Sequence, residues 1–252
     1  MGAYLPRSGL SSGDREFTVK RGDPVMVVST PVLWLLLFLV VFAVVLGVAL
    51  SRTEFTTRKI SMIGVMAALS FVAYEFFRIP TPSGSSFHLG NTFTALTALL
   101  LDGVSGGLAG AIGLALADIV AGDPGYAITT FVLKFIIGIV CGTVAHKVFH
   151  LHDLDGAGKS KARYMTAVVC SSFSGLLVNV FTDPFLGYFR NRYLFGQTVE
   201  LASVVAKVAS GVTLVNSLMS TACAVVLYLA LYPALKKARL LPGQKSSRLH
   251  AH

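Results

Sequence analysis

Residues 87–147 hold three apolar runs, 88–101, 104–120 and 126–145, joined by turns of only a few residues. Backbone groups in hydrocarbon must find their partners within the segment, so runs spaced this closely fold as helical hairpins. Small residues recur at fourth positions: Gly106 and Gly110, then offset Ala109, Gly113 and Ala117, then Gly138 and Gly142. Lipid gives no hydrophobic drive between helices, and such small faces let backbones approach closely instead. Polar side chains are sparse: His88, Asn91, Asp118, Asp123, Tyr126, Thr129, Thr130 and Lys134. An ionisable group inside a span is costly and marks function by default. The stretch predicts a tight helical bundle around a small polar site.

The composition agrees. Of 252 residues 54% are hydrophobic and 13% charged, with a mean hydropathy of +0.71. This excludes an ordinary soluble domain and predicts an all-α integral membrane protein. The net charge of +9 sits in loops and tails, where it sets topology and meets anionic lipid rather than nucleic acid. Cys141, Cys170 and Cys223 fall inside apolar runs, without the spacing of a disulfide framework or a zinc site. They read as buried thiols packing as small hydrophobes.

Taken in order, residues 1–24 form a polar tail and 25–50 an apolar run long enough to cross the bilayer once. The Ala49-Leu50-Ser51 triplet imitates a signal-peptidase site, but the run exceeds a signal core, so an anchor helix is the stronger reading. Further spans are expected at 60–77, 88–101, 104–120, 126–145, 165–181 and 208–231, followed by a basic tail over 238–252. The 88–101 run is short for a full crossing and is expected to be buried by its neighbours. Placing the C-terminus in the cytoplasm puts three basic residues at 52–59, four at 147–163 and five at 236–248 inside. Four at 7–21, Arg78, and three at 190–207 remain outside, with Lys134 in the membrane. Twelve against eight favours that orientation. Residues 183–207 are expected as the longest outside loop, its aromatics and arginines forming an interfacial belt or a lid.

Several motifs lead nowhere. Gly156-Ala157-Gly158-Lys159-Ser160 ends like a phosphate-binding loop, but Asp153 occupies the position of the leading glycine and no strand precedes it. His146, His150, His152 and Asp153 lack a completing ligand set, so no metal site is expected. No H-E-x-x-H, G-x-S-x-G or paired intramembrane carboxylates occur, so an enzyme lacks its parts. Lys134, flanked by Phe131 and Phe135, either contacts a solute or pairs with Asp118. Asn179 and Asn216, inside the last two spans, either hold helices together or face a solute.

The motif order carries a resemblance. H-L-G-N at 88–91, G-G-L-A-G-A-I-G-L-A-L-A-D at 106–118 and Y-A-x-x-T-F-x-x-K-x-x-x-G at 126–138 are similar to the substrate-binding S components of energy-coupling factor (ECF) vitamin transporters, riboflavin-transporter-like group. The resemblance covers about residues 58–237. It implies a six-helix S-component bundle, here preceded by one extra transmembrane helix, in the plasma membrane of a prokaryote. It also implies capture of a small water-soluble vitamin or cofactor precursor, and a coupling transmembrane subunit with two cytoplasmic ATPases as partners. No cofactor belongs to the chain itself, and ATP is hydrolysed by those partners. The residues expected at the solute are His88, Asn91, Asp118, Tyr126, Thr130, Lys134, Asn179 and Asn216. Gly64 and Ala68 would form the small-residue face that docks on the coupling subunit, with internal packing as the competing reading. A stand-alone secondary transporter is the alternative, though no inverted repeat with paired broken helices is visible.

Overall fold

The structure, a computed structural model, describes residues 30–81, 85–154 and 160–241. The 1–24 tail, most of the 238–252 tail and all but Ser160 of the loop-like 156–160 motif lie outside the described residues. The chain forms two units. The first contains α1 (Thr30–Ser51), 22 residues with no charged side chain. At 1.5 Å per residue it is about 33 Å long, enough for the hydrocarbon core.

The second unit begins with α2 (Thr57–Phe76) and a two-stranded antiparallel hairpin, β1 (Ile79–Pro80) and β2 (Ser86–Phe87). It continues through α3 (Asn91–Leu100), α4 (Gly103–Val120), α5 (Pro124–Thr143), α6 (Lys161–Phe189) and α7 (Val199–Lys237). π-helical turns extend α5 over Val144–Val148 and α6 over Arg190–Leu194. Among the described residues, six helices are long and apolar enough to cross a membrane. Apart from the two-residue strands, this is the expected all-α bundle with one helix ahead of it.

The exception is α3. Ten residues span about 15 Å, half a bilayer core. Nine of them are buried, with Leu96, Leu99 and Leu100 fully so. The last turn of a helix leaves carbonyls without intrahelical partners. Leu101 N donates to Thr97 O at 2.9 Å, and the His146 ring nitrogen Nε2 lies 2.8 Å from Ala98 O, placed to donate to it. His146 thus serves a helix end. The turn beyond is held by Asp102, which caps α4 through Ser105 N at 2.9 Å and bridges to Lys59 of α2 at 2.7 Å.

Small residues let α4 sit in the middle of the bundle with a different face for each neighbour. A Cβ at Gly138 would stand 2.0 Å from Gly107 N, and one at Gly142 would stand 2.2 Å from Gly103 N. The α4–α5 contact is therefore Gly103 and Gly107 against Gly138 and Gly142. Gly106 and Gly110 instead meet Ala98 and Thr94 of α3, and Gly113 meets the Ala67 carbonyl of α2.

The expected 183–207 loop is corrected. Helix α6 runs on through Pro184 to Phe189 and α7 starts at Val199, leaving a short connection. A proline inside a helix deprives the fourth preceding carbonyl of its partner. That carbonyl, Val180 O, accepts the Ser210 hydroxyl of α7 at 3.3 Å. Hydroxyls from neighbouring helices let a membrane helix continue past proline in this way. The expected end of the 165–181 span is corrected for the same reason, since α6 runs to Phe189.

Candidate functional site

A cavity of about 80 Å³ lies among α2, α4, α5, α6, α7 and the connection from β2 to α3. Helical periodicity delivers its walls. Tyr126, Thr130 and Lys134 follow at i, i+4 and i+8 on α5, Asn179 and Asp183 at i, i+4 on α6, and Thr213 and Asn216 at i, i+3 on α7. Asp118 comes from the last turn of α4 and Tyr74 from the last turn of α2. His88 and Asn91 come from the entry to α3. All eight residues singled out in the sequence line this one space.

Their bonding divides them into two groups. Asp118 is engaged: the Tyr74 hydroxyl donates to Oδ1 at 3.0 Å and the Thr130 hydroxyl to Oδ2. Asn216 is engaged as well, accepting from His88 N at 3.2 Å and donating to Ser86 O at 2.8 Å, so it ties the hairpin to α7. By contrast, His88 Nδ1, Asn91 Oδ1 and Asn179 Oδ1 are buried and have no hydrogen-bond partner among the described residues. Each such atom costs about 1–3 kcal/mol unless something bonds it. Lys134 is 7% exposed and, among the described residues, makes no ion pair within 4 Å. Asp183 and Asp118 are the carboxylates that act on it through space.

Eleven further residues line it, among them Tyr74, Arg78, Asp183, Arg190 and Thr213, which the sequence reading did not assign to the solute. Arg78 bridges to Asp123 at 2.7 Å and donates to Ser86 Oγ at 3.1 Å, which fastens the hairpin to the α4–α5 turn. Burial opposes its charge, but the Asp123 bond and the nearby Tyr74 raise its pKa above the ordinary arginine value. Arg190 lies 3.8 Å over the Tyr126 ring and donates to Thr129 Oγ1 at 3.1 Å, with the Phe195 ring 6.0 Å from the guanidinium and 5.4 Å from the Tyr126 ring. The Thr213 hydroxyl donates to Asp183. The i, i+4 spacing of Asn179 and Asp183 was the available signal, hidden because Asp183-Pro184 reads as a helix end. Burial, together with the Lys134 and Arg78 charges, pushes the His88 imidazole down to about 3, so it is neutral near pH 7.

Three cations (Arg78, Lys134, Arg190) and three carboxylates (Asp118, Asp123, Asp183) share the lining. Two tyrosine rings, Tyr74 and Tyr126, add flat apolar faces beside them. Chemically the arrangement suits reversible binding of a polar aromatic molecule.

Comparison with known proteins places the chain. The model of the family described as ECF-type riboflavin transporter, S component, matches residues 54–233. An uncharacterized protein in a gap 3' region of Pyrococcus woesei is 38% identical over 66 residues, 26% of this chain and 44% of that relative, so the match spans under half its length. A solved S component of a bacterial ECF transporter is also similar, at 14% identity and a TM-score of 0.46, over 72% of this chain and 96% of that one. With 180 consecutive residues matched by the family model (54–233), this multi-pass membrane protein belongs to the ECF-type riboflavin transporter S-component family.

Proposed function

We propose that the chain is the substrate-binding membrane subunit of an ECF-type importer, taking a small water-soluble vitamin or cofactor precursor from outside the cell. The observation that carries this reading is the cluster of unpartnered buried atoms, His88 Nδ1, Asn91 Oδ1 and Asn179 Oδ1, around one cavity with an unpaired Lys134. Acceptors and a cation held apart inside a bundle are what a solute with its own donors and carbonyls completes. The balance of three cations and three carboxylates favours a solute without net charge, and the tyrosine faces favour a flat ring. Riboflavin, named in the family description, is the first candidate.

The cavity is smaller than the ~300–1,000 Å³ of ordinary ligand sites, so solute entry requires the outer segments to move. The Arg78–Asp123 bridge and the Arg190–Tyr126 stack are the contacts that would part. Inward delivery is assigned to a coupling transmembrane subunit and two cytoplasmic ATPases, with ATP hydrolysed there and not by this chain. Gly64 and Ala68 support such docking: both are exposed on α2, and a Cβ at Gly64 would meet nothing within 4 Å. The internal α2–α4 contact uses Ala67 and Gly113 instead. We place the C-terminus in the cytoplasm and the N-terminus outside, on the charge distribution.

Mass spectrometry of solute co-purified with the detergent-solubilised protein, followed by riboflavin titration, tests the reading. A vitamin-like solute that is displaced by or identical to riboflavin is expected. Protein that is folded yet retains and binds no vitamin would overturn it. Uptake that persists in a strain lacking the ATPases would move the assignment to a stand-alone secondary transporter.

A further inference from the structure

Two imidazoles meet at the end of α3 remote from the solute cavity. His146, on the π-helical extension of α5, holds its Nε2 atom 2.8 Å from Ala98 O. The chain then turns back through His150, which adopts the left-handed conformation (φ 48°). That turn returns His152 to His146, with ring centroids 4.8 Å apart. His152 also stacks on Tyr232 of α7 at 5.8 Å. Its Nε2 atom is buried and has no hydrogen-bond partner among the described residues. One pair of rings thus joins the last turn of α3 to α5, to the turn before α6 and to α7.

We infer that this pair is an acid-sensitive latch: the neutral rings hold the end of α3, and protonation opens it. In an imidazolium both ring nitrogens are donors. A protonated His152 therefore carries a charged Nε2–H with no acceptor, and protonating both rings sets like charges side by side. The surroundings do not cancel this. Helix α3 has no titratable side chain. Asp102 acts on His146 through space, but it is already bound to Lys59 and to the first turn of α4. The Leu99 backbone and the exposed Asp153 favour a charge on His152, and Lys236 of α7 opposes it. Tyr164 of α6 packs on the same core, while Lys147 and His150 are exposed. Burial, then the neighbouring His146, hold the His152 imidazole below its ordinary value of 6.5. Between those values the opened segment binds the extra proton, so the latch weakens as pH falls below about 6.5. Asn91 opens the same short helix, so loosening its far end also loosens the wall of the solute cavity. That last consequence rests on the proposed solute site; the latch itself does not.

The test is hydrogen–deuterium exchange of the full chain in detergent micelles without solute, from pH 8 to pH 5.5, corrected for the intrinsic pH dependence of exchange. Protection of peptides covering 95–102 and 144–154 should hold above pH 7. It should fall about tenfold by pH 5.5, one unit below the ordinary imidazole value, while 165–180 stays protected. His152→Phe keeps a ring against Tyr232 and cannot titrate, and His146→Gln keeps a donor for Ala98 O. Each should match the parent at pH 8 and flatten the acid loss. His88→Gln should leave the loss intact. A parent profile flat with pH, an acid loss unchanged in either ring variant, or a loss abolished by His88→Gln would each overturn the latch. The parent and His88→Gln profiles decide the matter even where a ring substitution impairs folding. With no solute present, none of these results bears on the solute reading, which co-purification tests separately.

Discussion

Lys134 and Asp118 line the same cavity without an ion pair between them, while the Tyr74 and Thr130 hydroxyls each bond one Asp118 oxygen. A buried cation beside a satisfied carboxylate keeps its donors for something else. Lys134→Met should therefore lower solute affinity by about 1.5–3 kcal/mol, the worth of a charged hydrogen bond, while the melting temperature holds or rises. Adding Asp118→Asn should not restore binding. Isothermal titration and thermal melts of both variants decide it, and unchanged affinity in Lys134→Met removes that residue from the site.

The α4–α5 crossing leaves no room for a methyl group at Gly138, 2.0 Å from Gly107 N. Gly138→Ala should cost about 1–3 kcal/mol or more, the usual penalty of overpacking, and lower the melting temperature in detergent. Gly64→Ala, where nothing lies within 4 Å, should stay within about 0.5 kcal/mol of the parent.

Docking is tested on the same helix as that control. Ala68→Trp should abolish co-purification with the coupling subunit and leave solute affinity nearly intact. If affinity falls with it, the face packs internally.

The neutral His88 gives a pH dependence. Its folded pKa is about 3 against an ordinary 6.5, so between those values the unfolded chain binds the extra proton. Stability then rises with pH across that window and is lost on acidification below about 6.5, by up to about 1.4 kcal/mol per pH unit for one proton. His88→Gln should show a shallower fall in melting temperature between pH 7 and pH 4.5. An identical slope in both proteins would place the protonation elsewhere.

Orientation is checked by accessibility. With Cys170 replaced by alanine, a cysteine at position 11 should react with an impermeant thiol reagent in intact cells, and one at position 160 should not. The reverse pattern would invert the topology and with it the direction of transport.

By itself the sequence determined the number and order of the apolar helices, the shortness of the 88–101 segment and the polar face of α5. These follow from local quantities: run length against bilayer thickness, and the spacing of Tyr126, Thr130 and Lys134 along one helix face. Only the tertiary structure decided the rest. Whether α6 ends at Pro184 depends on a hydroxyl, Ser210, that lies on another helix, and with that continuation Asp183 and Arg190 enter the cavity wall. Which glycines of α4 meet α5 depends on the rotation of one helix against the next, so Gly103 and Gly107 could not be told from Gly106 and Gly110 by spacing. Lys134 and Asp118 are oppositely charged and lie on consecutive helices, yet they form no ion pair, while hydroxyls from α2 and α5 bond the carboxylate. Pairings of that kind are resolved by three-dimensional competition among partners, which a one-dimensional pattern does not record.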